Sequence, residues 1–433
     1  MIMAAMDIYI IGEPATDELF EPVDIIDKYL SCIWTTQFFG SDEFQLQVPY
    51  TYQNLKRLTR GAMLCRDFDI TETTSGKKYR HVMMVENRRI DYNAETGYVL
   101  TVSGRGIKRK LAQRIVITRT ALNGTVESGL RQLVSDAFEL GTVRNIARRV
   151  HNLRLGDTVG ISDAWETQIY TDNLLDIIQK TCETYGCGYE LFIEGAYYVF
   201  QLIKGTDRTY DNGAVDPVVF SPEYDNLISA TYNNEIIDYH NTGKLIADDI
   251  DNDSSETRGT FGLKIYGNNV QPGAWDRFET VIDCKSLKAD SIVTAEEFLQ
   301  IAKAYGETQL TPIAEKESIT GQVLDSPNQS GATLYHINRD YFLGDTVQIE
   351  FGSIQNEDGL STPLLRGQVR ITEVVHSIDE DGEKMLATYD GWQILDTTTG
   401  KTESSIKIID EPTAPEIDMG VLGVSQLDRF LLS

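Results

Sequence analysis

Five histidines, His81, His151, His240, His336 and His376, are the side chains of this 433-residue chain best suited to proton transfer or metal ligation near neutral pH. None has a second His, Cys or acid at the spacing of a known zinc site, and no HExxH occurs. Cys182 and Cys187 have four residues between them, which is not a CxxC pair, and Cys182 falls on the apolar face of a helical pattern. They read as core thiols, and no motif supports a Cys–His nucleophile pair. Gly104-Arg105-Gly106-Ile107-Lys108-Arg109 begins like a dinucleotide loop, but Arg109 stands where the third glycine is needed. No GxxxxGK[ST] and no GxSxG elbow occurs. Asp249, Asp251 and Asp253 alternate as in a calcium loop, yet Ser254 replaces the turn glycine and Thr260 the bidentate glutamate. That segment reads as a solvated acidic loop. No catalytic, cofactor-binding or metal-ligating residue is assigned, and no cofactor is expected.

The elements that would position any site are mostly strands. Apolar and aromatic runs at Asp7–Ile11, Cys32–Phe39, Phe44–Val48, Met63–Phe68, His81–Val85 and Tyr98–Val102 predict an antiparallel barrel or sandwich over residues 1–120. Asn93-Ala94-Glu95-Thr96-Gly97 is a turn between Arg89–Tyr92 and Tyr98–Thr101. The period then changes. Leu130, Leu133, Val134, Ala137 and Phe138 predict a helix ended by Gly141, and Ile146, Val150 and Leu153 a second, shorter one, in a basic insert over 121–165. Residues 166–217 predict a small α+β domain. Its helix is capped by Thr171 and closed by Gly186, and a hairpin turns at Glu194-Gly195-Ala196.

Strands dominate again over 218–395, at Leu227–Tyr232, Lys244–Ala247, Gly262–Tyr266, Phe278–Ile282, Ile319–Leu324, Thr346–Phe351, Gln368–Val375 and Lys384–Tyr389. A capping box at Thr294-Ala295-Glu296-Glu297 starts the one helix among them. Asp379-Glu380-Asp381-Gly382-Glu383 is a hairpin turn. Residues 396–433 read as an extended C-terminal arm. The expected class is β-rich α+β, with two antiparallel β-barrel domains and helical and α+β inserts.

Lys plus Arg number 39 and Asp plus Glu 66, a formal charge of −27. A balance that acidic argues against binding nucleic acid or an anionic membrane. No run approaches the length of a spanning helix, so no membrane anchoring is expected, and Met1–Asp7 lacks the positive region of a secretory signal. The five scattered cysteines, Cys32, Cys65, Cys182, Cys187 and Cys284, suit reduced thiols in a protein made in a cytosol. Residues 105–154 run against the trend, with eleven Lys/Arg against three Asp/Glu. Arg105, Lys108, Arg109, Lys110, Arg114, Arg119, Arg144, Arg148 and Arg149 form either a DNA patch or a cationic face meeting acidic groups of the same or a partner subunit. The surrounding acidity favours the second. The 21 tyrosines and 15 phenylalanines read as cross-strand packing pairs.

Four phrases in order resemble the tail hub family of long-tailed phages, which includes siphophage tail-associated proteins, Gp37-like siphovirus tail proteins and baseplate hubs. The first runs from Tyr29 to Pro49 and holds a Ser31-x-x-Trp34 strand followed by Phe44-x-Leu46-x-x-Pro49. The second is Tyr224–Tyr232 followed by Asp238-Tyr239-His240-Asn241. The third is Trp275-Asp276-Arg277-Phe278-Glu279 leading into Val281-Ile282-Asp283. The fourth is Tyr341–Val347 with the hairpin ending at Tyr389. The resemblance spans about residues 5–395 and implies two similar barrels per chain. Three chains would then form a ring of six barrels between a hexameric tube and a trimeric tip.

It implies a homotrimer in the virion, at the tail tip or baseplate, assembled in a bacterial host cytoplasm. The implied partners are a tail tube or distal tail protein, a tail tip, spike or receptor-binding protein, and a tape measure protein. Genomic DNA would pass through without specific binding. The family supplies no catalytic residues, so no enzyme is expected. Trp34, Phe44, Leu46 and Pro49 read as barrel packing and a strand end, and the exposed residues near them, with the Gly344-Asp345 turn, as ring contacts. The alternatives are the hub of a contractile injection system or tailocin, a tail-associated cell-wall hydrolase using a carboxylate pair, and a glycan-binding adhesin.

Overall fold

The computed structural model describes residues 6–14, 18–94, 97–118, 120–141, 143–169, 172–210, 216–235, 240–246, 264–266, 272–284, 302–303, 306, 310, 316–325, 335–352, 354–355, 361–362, 365–391, 393–396, 401–404 and 406–408. Two compact units result. One comprises Met1–Thr231, Ile319–Ile394 and Ser405–Ser433, the other Tyr232–Ser318 and Leu395–Ser404. The acidic loop at Asp249–Asp253, the capping box at Thr294 and Arg119 lie outside the described residues, as does most of the predicted arm.

In the first unit, β1 (Ile8–Ile11), β2 (Pro22–Ile26), β3 (Ser31–Gln37) and β4 (Glu43–Pro49) precede the short helix α1 (Tyr52–Arg57). β5 (Met63–Arg66) is buried at every position. Met63 and Cys65 face one apolar cluster and Leu64 the other, which is why the run has no polar alternation. By contrast β3 and β4 alternate. Cys32 and Trp34 pair across from Leu46 and Phe44, and all four are buried. Each such large side chain contributes about 1.5–3 kcal/mol.

β6 (Ile70–Thr73) and β7 (Gly76–Tyr79) form a hairpin that sequence patterning missed, because Lys77 and Lys78 interrupt any apolar run. β8 (Met83–Asn93) and β9 (Gly97–Gly106) make the long hairpin expected at Asn93–Gly97, with Tyr92 opposite Tyr98.

β10 (Thr120–Thr125) leads into α2 (Val126–Ala137), which Thr125 and Ser128 cap reciprocally. The helix stops at Phe138, not at Gly141. The predicted second helix is not formed. Ile146–Arg148 make one 3-10 turn, and β11 (Leu153–Leu155) is a strand lying parallel to a later one. Leu153 is therefore spent on a sheet face, so the apparent helical stripe breaks after a single turn.

β12 (Ala164–Ile169) pairs with β10. α3 (Leu174–Tyr185) is capped two residues later than predicted, on Asn173, whose Oδ1 accepts from the Leu175 N–H at 3.0 Å, and ends on left-handed Gly186 as expected. β13 (Gly188–Glu194) and β14 (Tyr197–Ile203) form the expected hairpin, and five strands run β11-β14-β13-β7-β6.

β15 (Val219–Phe220) and β16 (Ser229–Glu235) follow. The second unit holds a three-stranded sheet of β17 (Thr242–Ile246), β18 (Lys264–Tyr266) and β19 (Glu279–Asp283), with β17 central and parallel to β19. Back in the first unit come β20 (Lys316–Asp325), β21 (Thr346–Phe351), the short pair β22 (Ile354–Gln355) and β23 (Ser361–Thr362), then β24 (Leu365–Asp379) and β25 (Gly382–Asp390).

The class is β-rich α+β. Two separate barrels were expected. The described strands of the largest sheet run in the order β16-β20-β25-β24-β3-β4-β9-β8-β5-β1-β2, and no closed barrel is seen among the described residues. The joint is β24. Its first half pairs with β21, from Leu365 to Arg370, and its second half with β3, from Glu373 to Ile378. A bulge between Ile371 and Glu373 bends the strand from one partner to the other, and the freed Thr372 carbonyl accepts the Phe38 N–H at 2.9 Å. No helix among the described residues is long and apolar enough to cross a membrane.

Candidate functional site

The joint between the two strand blocks is built by polar groups that neither block could bury alone. Arg66, at the end of β5, donates Nε to Asp69 Oδ2 at 2.6 Å, while its guanidinium lies over Phe68 at 4.4 Å and Trp34 at 5.3 Å. Its Nη1 stands 3.4 Å from Nδ1 of His376, 310 residues away on β24. His376 Nε2 lies 2.8 Å from Glu383 Oε1 on β25. Arginine can only donate, so Nδ1 accepts and Nε2–H donates to Glu383, which assigns the neutral tautomer. Burial and then the Arg66 charge lower the His376 pKa, against the opposing pull of Glu383. Gln37 Nε2 completes the seam by donating to Glu373 Oε2 at 2.9 Å.

Phe38 fills the corner where β3, β13 and the second block meet. A Cβ built on Gly188 or on Gly344 would run into its ring, and Arg370 lies 5.3 Å over the ring. Gly344 also has φ +91°, a conformation costly for any other residue. The Gly344-Asp345 turn, expected as a ring contact, is consumed inside the chain. Asp345 is buried and accepts from Thr206 N at 2.8 Å, Phe342 N at 3.0 Å and Arg208 Nε at 2.6 Å. A carboxylate that satisfies its lone pairs internally has none to offer a neighbour.

Part of the basic stretch is likewise committed to partners inside the chain, while Arg105, Arg144 and Arg149 are exposed. Lys108 is buried, with Nζ 2.9 Å from Asp42 Oδ1 and donating to the Gln37 carbonyl at 2.6 Å. Burial alone would push the Asp42 carboxyl up. Lys108, His81 and the Gln37 N–H outweigh it and hold the group at about 2. Arg105 and Arg109 both pair with Glu86, Arg148 donates to the Ile115 carbonyl at 3.0 Å, and Arg114 and Lys110 lie over Phe138 and Tyr198. This bears out the acidic-partner reading for Arg105, Lys108 and Arg109.

Of the five histidines, His336 meets Asp325 at 2.8 Å and His81 meets Asp42 at 3.9 Å, while His376 belongs to the seam. No metal-binding cluster occurs among the described residues. Trp34, Phe44 and Leu46 are core, as predicted, with the Trp34 and Phe44 rings 5.6 Å apart.

What faces outward is the far end of the β8–β9 hairpin. Only Met83 and Met84 of β8 pair with β5, so among the described residues no strand covers the outer edge of β8 beyond Val85. Beside that edge Tyr98 stacks 5.4 Å from Tyr50 and 4.7 Å from Tyr92, and all three are exposed. In the second unit Trp275, from the third family-like phrase, is 98% exposed. Tyr92 and Tyr98 form a cross-strand pair as the sequence reading expected, but an exposed one. Their position at a hairpin tip is the signal that could have flagged them.

Residues 16–389 match the family described as Siphovirus ReqiPepy6 Gp37-like protein. Among curated proteins none matches the sequence. The 43 kDa tail protein of prophage MuSo2 from Shewanella oneidensis is 13% identical, with TM-score 0.45, 89% of this chain and 98% of that one being covered. A tail protein from Neisseria meningitidis MC58 is 12% identical, with TM-score 0.42 and coverage of 89% and 96%. A chain of the Francisella PdpA-VgrG complex is 10% identical, with TM-score 0.45 and coverage of 89% and 52%. At TM-scores under 0.5 none of these likenesses bears on what this chain does.

Proposed function

The chain belongs to the Siphovirus ReqiPepy6 Gp37-like protein family, a family of phage tail proteins, and on that premise we propose that it is the structural hub at the distal end of a tail. Three copies close a ring in which residues 1–120 and 218–395 serve as two tube-like halves of each chain. A threefold component thereby offers six similar faces to the tube above and three to the tip below. In that position its neighbours are a tail tube or distal tail protein, a tape measure protein, and a tip, spike or receptor-binding protein. With a net charge of −27 per chain, three copies surround genomic DNA with like charge, so that it passes without being held.

The family match over residues 16–389 carries this reading, because it spans both strand blocks. The Arg66–His376 seam is consistent with it, since it fastens β24 to the first strand block. Ring contact then falls to the open β8 edge and its tyrosines, facing a second copy of the chain. A reconstruction of assembled particles carrying a tagged chain tests the proposal. Three copies at the distal end are expected. Copies along the shaft, or six at one level, would overturn it.

A further inference from the structure

α3 ends in a motif that forces two thiols together. Gly186 is left-handed, and the N–H groups of both Gly186 and Cys187 return to the Cys182 carbonyl, the latter at 3.0 Å. The bond from Cys187 is the six-to-one bond of the Schellman motif, whose geometry brings the side chain three residues inside the helix end against the one just beyond the turn. Those positions are ordinarily two apolar side chains. Here they are Cys182 and Cys187, both buried and both reduced, with one thiol hydrogen-bonded to the other.

Both thiols sit in the apolar core, Cys182 fully buried and Cys187 2% exposed. Cys187 lines an open cleft of about 350 Å³ whose wall also carries Tyr185, Gly186, Lys204 and Arg370. Arg370 beside the thiol favours its ionised form, against Asp163 on the same wall. The hydrogen bond from Cys182, and the Arg370 charge, lower the Cys187 pKa against the effect of burial. The same hydrogen bond, with burial, raises that of Cys182 well above the ordinary thiol value. The two thiols are thereby differentiated into an attacking and a resolving sulfur.

We propose that Cys182 and Cys187 are a redox-modifiable dithiol that closes to an intrachain disulfide when the protein meets a peroxide. Cys187 thiolate attacks one peroxide oxygen, the O–O bond breaks, and the sulfur becomes a sulfenic acid as hydroxide leaves. Cys182 sulfur then displaces the sulfenic hydroxyl. Its proton and the one first released from Cys187 complete two waters. Two thiols have given two electrons to one peroxide. The product staples the last turn of α3 to the start of β13. This chemistry is independent of the hub reading.

The test treats the full chain with hydrogen peroxide and maps its thiols by mass spectrometry after blocking under native conditions. A loss of two hydrogens located to the peptide pair containing Cys182 and Cys187 is expected. Cys187 in the untreated protein should label about tenfold faster than Cys32 or Cys65. Cys182→Ala should trap a sulfenic acid on Cys187 that dimedone captures, and Cys187→Ala should abolish the link. If either variant fails to fold, the wild-type map decides. Five thiols still reduced after treatment, a link to any other cysteine or between chains, or over-oxidation of Cys187 without a link would overturn the proposal.

Discussion

The ring of Phe38 lies flush against the Cα of Gly344, leaving no room for a methyl group. Gly61 shares the left-handed conformation, with φ +87° against +91°, but has open space around it. Gly61→Ala should therefore cost about 1 kcal/mol, for the backbone alone. Gly344→Ala should cost about 2–4 kcal/mol, because the clash with Phe38 is added. Urea unfolding of the two variants checks the difference, and equal losses would mean that the Phe38 corner yields freely.

Asp42 and Lys108 form a buried pair at 2.9 Å. Asp42→Asn should destabilise by about 3–5 kcal/mol because the lysine is left uncompensated, and adding Lys108→Met should recover part of the loss. The Asp42 carboxyl is held at about 2, below its unfolded value near 3.8. Its contribution is complete above that unfolded value and is lost as pH falls from 4 towards 2. Chemical denaturation across that range should show a shallower acid limb in Asp42→Asn than in the wild type.

His376 has the opposite chemistry and the same sign. Its folded pKa is lowered below the ordinary 6.5, so the unfolded chain takes up the proton first. Its contribution is complete above pH 6.5 and declines as pH falls below it. His376→Gln should flatten the stability profile between pH 7 and 5 in thermal unfolding. An unchanged slope would remove His376 from the seam's electrostatics.

With a charge of −27 per chain, closure of the proposed ring would work against like-charge repulsion. Sedimentation should show monomer or weak trimer at low salt and more trimer at high salt. A tight trimer at low ionic strength would refute the screening account. Tyr92→Ser with Tyr98→Ser should change monomer stability by no more than about 0.5 kcal/mol while weakening the trimer.

Duplex DNA should bind negligibly at physiological salt, since Arg105, Lys108 and Arg109 are already paired. Submicromolar affinity in a fluorescence anisotropy titration would show that the remaining basic residues form an outward patch.

The alternation of Cys32 and Trp34 with Phe44 and Leu46 was legible because a strand with one wet face writes its period into the sequence. The hairpin at Asn93–Gly97 and the Gly186 cap were legible for similar local reasons. The joining of both blocks was not. Nothing near His376 announces a partner 310 residues earlier, and β24 reads as one strand whether it has one neighbour or two in succession. The Gly344-Asp345 turn misled in the other direction. Glycine and aspartate mark an exposed turn by composition, and only the incoming Arg208 and Thr206 show that the carboxylate is spent.

The shared strand has a mechanical meaning. A load applied to one half along β24 reaches the other through backbone hydrogen bonds pulled sideways together, a geometry that fails only when many rupture at once. A hinge of loose linker would stretch and absorb that force. A fifteen-residue girder transmits it from one half to the other instead of dissipating it.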